Sequence, residues 1–201
     1  MSLRIFAAEA LADFSTTAAV APSSPQLASA MLKALPLARA RVAVELGAGT
    51  GAITQALLAQ MPADARLLVF EINPRFLTYL KRKFSDPRVV LIPASVENLD
   101  SELRVRGYDQ VDAVASSLGL GLMSEYKRHA LFRQLLPFLD DKAVFTQYQY
   151  IQSMQFENGR LSRLNLRPLL CKYFKDVESM VIWRNLPPAF VFSCRHKIES
   201  Q

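Results

Sequence analysis

Apolar positions fall along the chain in five short runs, residues 42–46, 67–70, 89–92, 111–115 and 143–148, each too short for a helix. Runs of this length, several of them rich in β-branched side chains, read as strands buried on both faces. Between them, 53–60, 75–84 and 125–139 carry helical spacing, and this alternation of strand and helix predicts a parallel α/β sheet. Two later strands, 177–183 and 190–195, flank the segment Asn185-Leu186-Pro187-Pro188 and are expected to form an antiparallel hairpin that closes one sheet edge. Upstream, Leu3, Phe6, Ala7, Ala10, Leu11 and Phe14 form an apolar stripe at helical spacing, which predicts an amphipathic helix within 1–20. Such a stripe either packs against the sheet or a ligand pocket, or lies in the plane of a membrane. Glu9 and Asp13 outnumber Arg4 and count against the second use.

Composition narrows the setting. The 201 residues, 51% hydrophobic, suit one domain over 1–201, with 148–176 as an insertion between the fifth and sixth strands. A net charge of +6 favours an anionic partner: nucleic acid, a phospholipid surface or a phosphorylated substrate. Cys171 and Cys194 lack a CxxC or Cys/His cluster, so a reduced, cytoplasmic chain without a metal site is expected. No apolar run approaches the ~18 residues of a spanning helix, so any membrane association is expected to be peripheral, on the inner face of the cell membrane.

Glu45 ends the first run and is followed by Gly47, Gly49 and Gly51 before a helix begins near Ala52. Glycines after a buried strand let the chain turn sharply and bring backbone N–H groups close to a ligand. Read through Ala52, the loop satisfies the Gly-x-Gly-x-x-Ala form of a dinucleotide fingerprint, with Glu71 twenty residues past Gly51 where a ribose-binding acid is expected. Glu45 argues for another ligand, because a carboxylate two residues before the first glycine repels a diphosphate. S-adenosylmethionine has a sulfonium and an α-ammonium and no phosphate, and Glu71 can accept its ribose hydroxyls. A nicotinamide-dependent oxidoreductase stays open at this point.

Four segments carry a resemblance. "VELGAGTG" at 44–51 and "EINP" at 71–74 resemble class I S-adenosylmethionine-dependent methyltransferases, in particular the rRNA adenine dimethylase-like group. With "APSSPQLA" at 21–28 and "RNLPPAFV" at 184–191, the chain looks most like bacterial phospholipid N-methyltransferases. The resemblance implies a three-layer, Rossmann-like α/β fold with a mostly parallel seven-stranded sheet and an antiparallel C-terminal hairpin. It implies that Glu45, Gly47, Ala48, Gly49 and Gly51 line the amino-acid end of the cofactor, that Glu71 binds ribose and that Ile72 flanks the adenine. Ser95 stands where relatives carry an acid, with Val96 beside it at the adenine, and Ser116 opens the loop after the fourth strand.

Residues beyond the fourth strand bear on the acceptor. Adenine dimethylases hold their target base on an Asn-Leu/Ile-Pro-aromatic motif, whereas this chain has "SSLGLGLM" at 116–123, so a flipped adenine lacks a platform and no nucleic-acid partner is expected. The chain is also expected to leave no room for a helical RNA-binding appendage. Arg160, Arg163 and Arg167 are spaced to share one helical face, with Lys172 and Lys175 beyond them, as suits lipid phosphates at an anionic membrane surface. Tyr148 and Tyr150 are candidate contacts for the acceptor amine; their alternation is expected to send them to opposite sheet faces, leaving one to serve. Relatives resemble the segment around Tyr150, which favours it. The expected activity is N-methylation of a phospholipid amino headgroup such as phosphatidylethanolamine, yielding S-adenosylhomocysteine. RNA adenine and soluble amines are the alternative acceptors.

Overall fold

The computed structural model describes residues 24–157 and 160–198, with side chains described outside 154–161. The amphipathic stretch 1–20 lies outside the described residues, as does the side chain of Arg160. In chain order the helices are α1 (Pro25–Lys33), α2 (Ala52–Leu58), α3 (Pro74–Lys83), α4 (Leu99–Val105), α5 (Glu125–Leu135) and α6 (Arg167–Leu170). The strands are β1 (Val42–Leu46), β2 (Arg66–Phe70), β3 (Val89–Ile92), β4 (Val111–Ser116), β5 (Leu139–Tyr150), β6 (Met154–Glu157), β7 (Arg160–Arg163), β8 (Phe174–Ile182) and β9 (Ala189–Lys197).

Local chemistry sets several helix starts. Ser24 Oγ accepts a hydrogen bond from the Leu27 N–H at 3.1 Å and Pro25 follows it, while Asn73 and Pro74 repeat the arrangement at α3, with Asn73 Oδ1 2.9 Å from the Arg75 nitrogen. A side-chain acceptor satisfies one orphan N–H, and proline's fixed φ is already helical.

The seven-stranded sheet has the order β3-β2-β1-β4-β5-β9-β8. β1 to β5 run parallel, and β9 is antiparallel to both β5 and β8, so β8 shares the direction of β5. The order reverses between β1 and β4, and the carboxyl ends of strands at such a switch point form the crevice where α/β sheets bind ligands. One sheet face buries Val44, Leu46, Leu68 and Val114 against Leu99 and Leu103 of α4 and Leu131 and Phe132 of α5. The other buries Ala43, Leu67, Val69 and Ala113 against Leu27 and Met31 of α1 and Ile53 and Leu57 of α2. Helix, sheet and helix therefore make three layers.

Three expectations are corrected. The helix expected over 125–139 stops at Leu135, gives way to a 3₁₀ turn over Leu136–Phe138 containing Pro137, and β5 starts at Leu139. α4 has no counterpart among the expected helices. The arginines 160, 163 and 167 do not share a helical face: Arg160–Arg163 is β7, paired with β6, and Arg167 opens the short α6. Ladder pairing with β6, from Met154 opposite Arg163 to Glu157 opposite Arg160, prevails over the helical spacing of the arginines, and Leu164 and Leu166 are buried in the link that follows. Among the described residues no helix is long and apolar enough to cross a membrane.

Candidate functional site

The glycine loop leaves β1 at the switch point. Gly47 is hydrogen-bonded through its nitrogen to the Phe70 carbonyl at 2.9 Å, and the Gly51 nitrogen donates to the Ala48 carbonyl at 2.9 Å, which closes a tight turn. Gly51 caps α2 at φ +73°, a left-handed conformation that costs little only for glycine. At Gly49, also left-handed at +53°, a Cβ would meet nothing within 4 Å. That opening leaves backbone bare beside the crevice.

Two carboxylates flank this loop. Glu71 is nearly buried; its Oε2 accepts from the Gly49 N–H at 2.8 Å and its Oε1 from the Ile72 and Asn73 N–H groups at 2.9 Å each. These bonds tie the end of β2 to the loop after β1. Glu45 is fully buried, and its Oε2 accepts from Thr54 Oγ1 at 2.6 Å, whereas its Oε1 has no partner among the described residues. Burial pushes its carboxyl up to about 7; the Thr54 bond opposes the shift, the Glu71 charge adds to it and Lys83 opposes it. Lys83 Nζ donates to the carbonyls of Thr50 at 2.9 Å and Gly51 at 3.4 Å, and burial lowers its own pKa. A buried carboxylate oxygen without a donor suits a cationic group such as the α-ammonium or sulfonium of S-adenosylmethionine, and it disfavours a diphosphate.

The remaining expected cofactor residues lie along the same end of the sheet. Ala48 is nearly buried within the turn, and Ile72 is 55% exposed just past β2. Ser95 caps the 3₁₀ turn Val96–Asn98, its Oγ accepting from the Glu97 N–H at 3.2 Å, and Val96 is buried. Ser116 is buried at the end of β4, in register with Leu46 and Gln147.

Tyr148 and Tyr150 do not point to opposite faces. Residues two apart on a strand share a face, and the two rings meet edge-on with centroids 5.3 Å apart, on the side of the sheet that packs against α1. Burial raises the Tyr150 hydroxyl pKa, and a hydrogen bond with Tyr148 opposes that rise. Three polar residues that the sequence did not single out also stand in the site: Thr54, Lys83 and Gln147. Gln147 is fully buried; its Nε2 donates to the carbonyls of Leu118 at 3.1 Å and Tyr148 at 2.6 Å, and its Oε1 has no partner among the described residues. Little in the sequence signals it, because β5 carries other polar residues, Thr146 and Gln149 among them.

Ser24, where the described part of "APSSPQLA" begins, meets Asn185 of "RNLPPAFV". Asn185, buried in the turn between β8 and β9, accepts from the Ser24 N–H at 3.3 Å through Oδ1 and donates from Nδ2 to the Pro187 carbonyl at 2.6 Å. The start of α1 is thereby fixed to the β8–β9 turn.

Several known proteins are similar to this chain. The family described as "Methyltransferase domain" matches residues 43–142. The ornithine lipid N-methyltransferase of Singulisphaera acidiphila is 33% identical over 184 residues, 91% of this chain and 90% of that one. The ribosomal RNA small subunit methyltransferase H of Bordetella pertussis is 36% identical over 73 residues, 36% of this chain and 20% of that one. Among solved structures, the 1,6-didemethyltoxoflavin-N1-methyltransferase of Burkholderia thailandensis, with S-adenosylhomocysteine bound, superposes with a TM-score of 0.64 at 19% identity, covering 85% of this chain and 76% of that one. These matches resolve the choice that the glycine spacing left open between a nicotinamide dinucleotide and S-adenosylmethionine. With its mostly parallel sheet, its glycine loop between two carboxylates and a relative matched over nine-tenths of its length, the chain belongs to the class I S-adenosylmethionine-dependent methyltransferases.

Proposed function

We propose that the protein methylates the amino headgroup of a membrane lipid, a phospholipid such as phosphatidylethanolamine or an ornithine-type lipid. The observation that carries this reading is the 33% identity, over 91% of the chain, to an ornithine lipid N-methyltransferase. Bound S-adenosylmethionine supplies a methyl group on a sulfonium, already activated for transfer. In the proposal Glu45 receives the α-ammonium on its free Oε1, and Glu71 turns its remaining acceptor capacity to the ribose. Gly47, Ala48, Gly49 and Gly51 bring backbone against the amino-acid end, Ile72, Ser95 and Val96 border the adenine, and Ser116 closes the inner edge.

The acceptor is an alkylammonium with a pKa of about 10.4 in water and must reach the methyl group as the neutral amine. Tyr148 and Tyr150, at the end of β5, are proposed to contact it, with desolvation in the crevice favouring proton loss. The decisive experiment incubates the protein with radiolabelled methyl donor and a mixture of liposomes, RNA and soluble amines, then extracts the phases. Label is expected in the chloroform layer. Label confined to RNA or to the aqueous amines replaces the lipid reading.

Peripheral contact with an anionic membrane surface is part of the proposal. The β8–β9 turn carries Trp183 and Leu186, 73% and 87% exposed, with exposed Arg184 between them. An indole and an aliphatic side chain beside a cation suit a headgroup interface. Cosedimentation with anionic vesicles is expected to weaken as salt rises and to fall further in Trp183→Ala/Leu186→Ala. Equal binding to neutral vesicles, or no change in the variant, removes the turn from the membrane contact.

A further inference from the structure

The insertion between β5 and β8 builds a second recess that the cofactor site does not use. A cavity of about 320 Å³ is lined by Gln149, Arg163, Leu164, Arg167, Phe190 and Phe192, among others. Its floor is apolar: Phe190 and Phe192 alternate along β9 onto one face, with ring centroids 6.1 Å apart. Its rim is cationic, because Arg163 and Arg167 are exposed and neither has a carboxylate partner among the described residues. Arg163 uses its Nε to donate to the Ile151 carbonyl at 2.9 Å, which positions the guanidinium.

The arginines are held in place by a buried clamp. Gln149 donates from Nε2 to the Leu164 carbonyl at 2.6 Å and accepts on Oε1 from the Leu166 N–H at 3.1 Å, so the strap carrying both arginines is fastened to β5. Leu164 and Leu166 are buried beneath it. The recess lies beside the carboxyl end of β5, where Arg163 holds the carbonyl of Ile151, the residue after Tyr150, and a relay of contacts connects it to the cofactor loop. A Cβ on Gly47 would lie 3.3 Å from Leu118 Cδ2, the Leu118 carbonyl accepts from Gln147, and Gln147 is in register with Phe192 of the cavity floor. β6 lies against the 3₁₀ turn Leu120–Leu122 of the same loop.

We propose that this recess receives the anionic group of the acceptor headgroup, a phosphate or a carboxylate, on Arg163 and Arg167, with the first methylenes of the lipid chain against Phe190 and Phe192. The inference rests on the lipid N-methylation reading and deepens it. Guanidinium pairs recognise both oxyanions through paired N–H donors, and an apolar floor removes the adjoining chain from water. Phe190 and Phe192 share the sheet face of Gln147 and Gln149, opposite Tyr148 and Tyr150, so in this proposal the headgroup passes over the carboxyl end of β5 beside Arg163. The anion selects the amine, which distinguishes zwitterionic lipids from simple amines.

The test uses neutral detergent micelles, in which no surface potential recruits the protein. Wild type and Arg163→Gln/Arg167→Gln are compared on phosphatidylethanolamine, an ornithine lipid and a long-chain primary amine without an anion. For whichever zwitterionic lipid the wild type accepts, the variant's preference over the anion-free amine, taken as the ratio of kcat/KM values, is expected to fall roughly 10- to 100-fold through KM. The phosphate and carboxylate arms identify the anion. Because Arg163 also holds Ile151, Arg167→Gln alone serves as the second variant, and affinity for S-adenosylhomocysteine reports an intact fold. An unchanged ratio in both variants overturns the recess as the anion site. A wild type that methylates neither lipid overturns the lipid reading itself.

Discussion

Glu45→Gln is expected to weaken S-adenosylmethionine binding at pH 8 by roughly 10- to 100-fold, the worth of a hydrogen bond to a charged group in a buried setting. The glutamine keeps a carbonyl oxygen for Thr54 and loses the charge proposed to face the α-ammonium. Wild-type affinity should also depend on pH in a defined direction. With the Glu45 carboxyl near 7 in the ligand-free protein, a cation that lowers it must displace a proton, so affinity rises with pH and levels off above about 7. About a tenfold gain between pH 6 and pH 8 is expected from one proton, and calorimetry in buffers of different ionisation enthalpy should detect its release.

The same group makes ligand-free stability depend on pH with the opposite slope. Its folded pKa is raised from 4.5 to about 7, so the folded state holds a proton that the unfolded chain has released between those values. The Glu45 contribution is therefore fully present below about 4.5 and is lost as pH climbs through about 7. Glu45→Gln should abolish both that component and the pH dependence of affinity. A variant that binds as tightly as wild type, with the same pH profile, would take Glu45 out of the cofactor site.

The parts of this protein visible in its sequence are those in which one local pattern acts alone. β1, β2 and β4 coincide with apolar runs because each is buried on both faces, and β3, half-buried at the sheet edge, is legible from its β-branched and aliphatic residues. β5 begins four residues earlier than its apolar run, at Leu139, because ladder pairing of Leu139 with Val111 holds a polar stretch, Asp140 to Lys142, whose side chains reach solvent. α4 was illegible: only Leu99 and Leu103, one turn apart, are buried in its seven residues. In the insertion the pairing of β6 with β7 overrides the helical spacing of the arginines. Glu45 and Glu71 were legible because each stands at the carboxyl end of an apolar run, Glu45 just before Leu46 and Glu71 just after Phe70, where a carboxylate is out of place and marks a candidate binding residue. Thr54, Lys83 and Gln147 were not, since single polar residues acquire their roles only when separate elements meet.

Replacing Gly49 and Gly51 by alanine one at a time is expected to separate binding from folding within a single loop. Both residues have positive φ, which costs a side chain roughly 1 to 2 kcal/mol. At Gly51 the new Cβ would also lie 2.5 Å from the Phe84 ring and 2.8 Å from Leu80 Cδ2, and Leu80 is fully buried. Strain plus overpacking should remove about 2 to 4 kcal/mol and lower the Tm by roughly 5 to 15 °C. At Gly49 the Cβ meets no protein atom within 4 Å, so only the backbone term remains and the melting temperature should fall by a few degrees. That open space is where the proposed cofactor approaches the loop. A methyl group there should cost tenfold or more in S-adenosylhomocysteine affinity, on the order of 1.4 kcal/mol, in a protein that still folds. Calorimetric titration beside thermal melts reads both quantities, and Gly49→Ala binding with wild-type affinity would leave that glycine a purely conformational role.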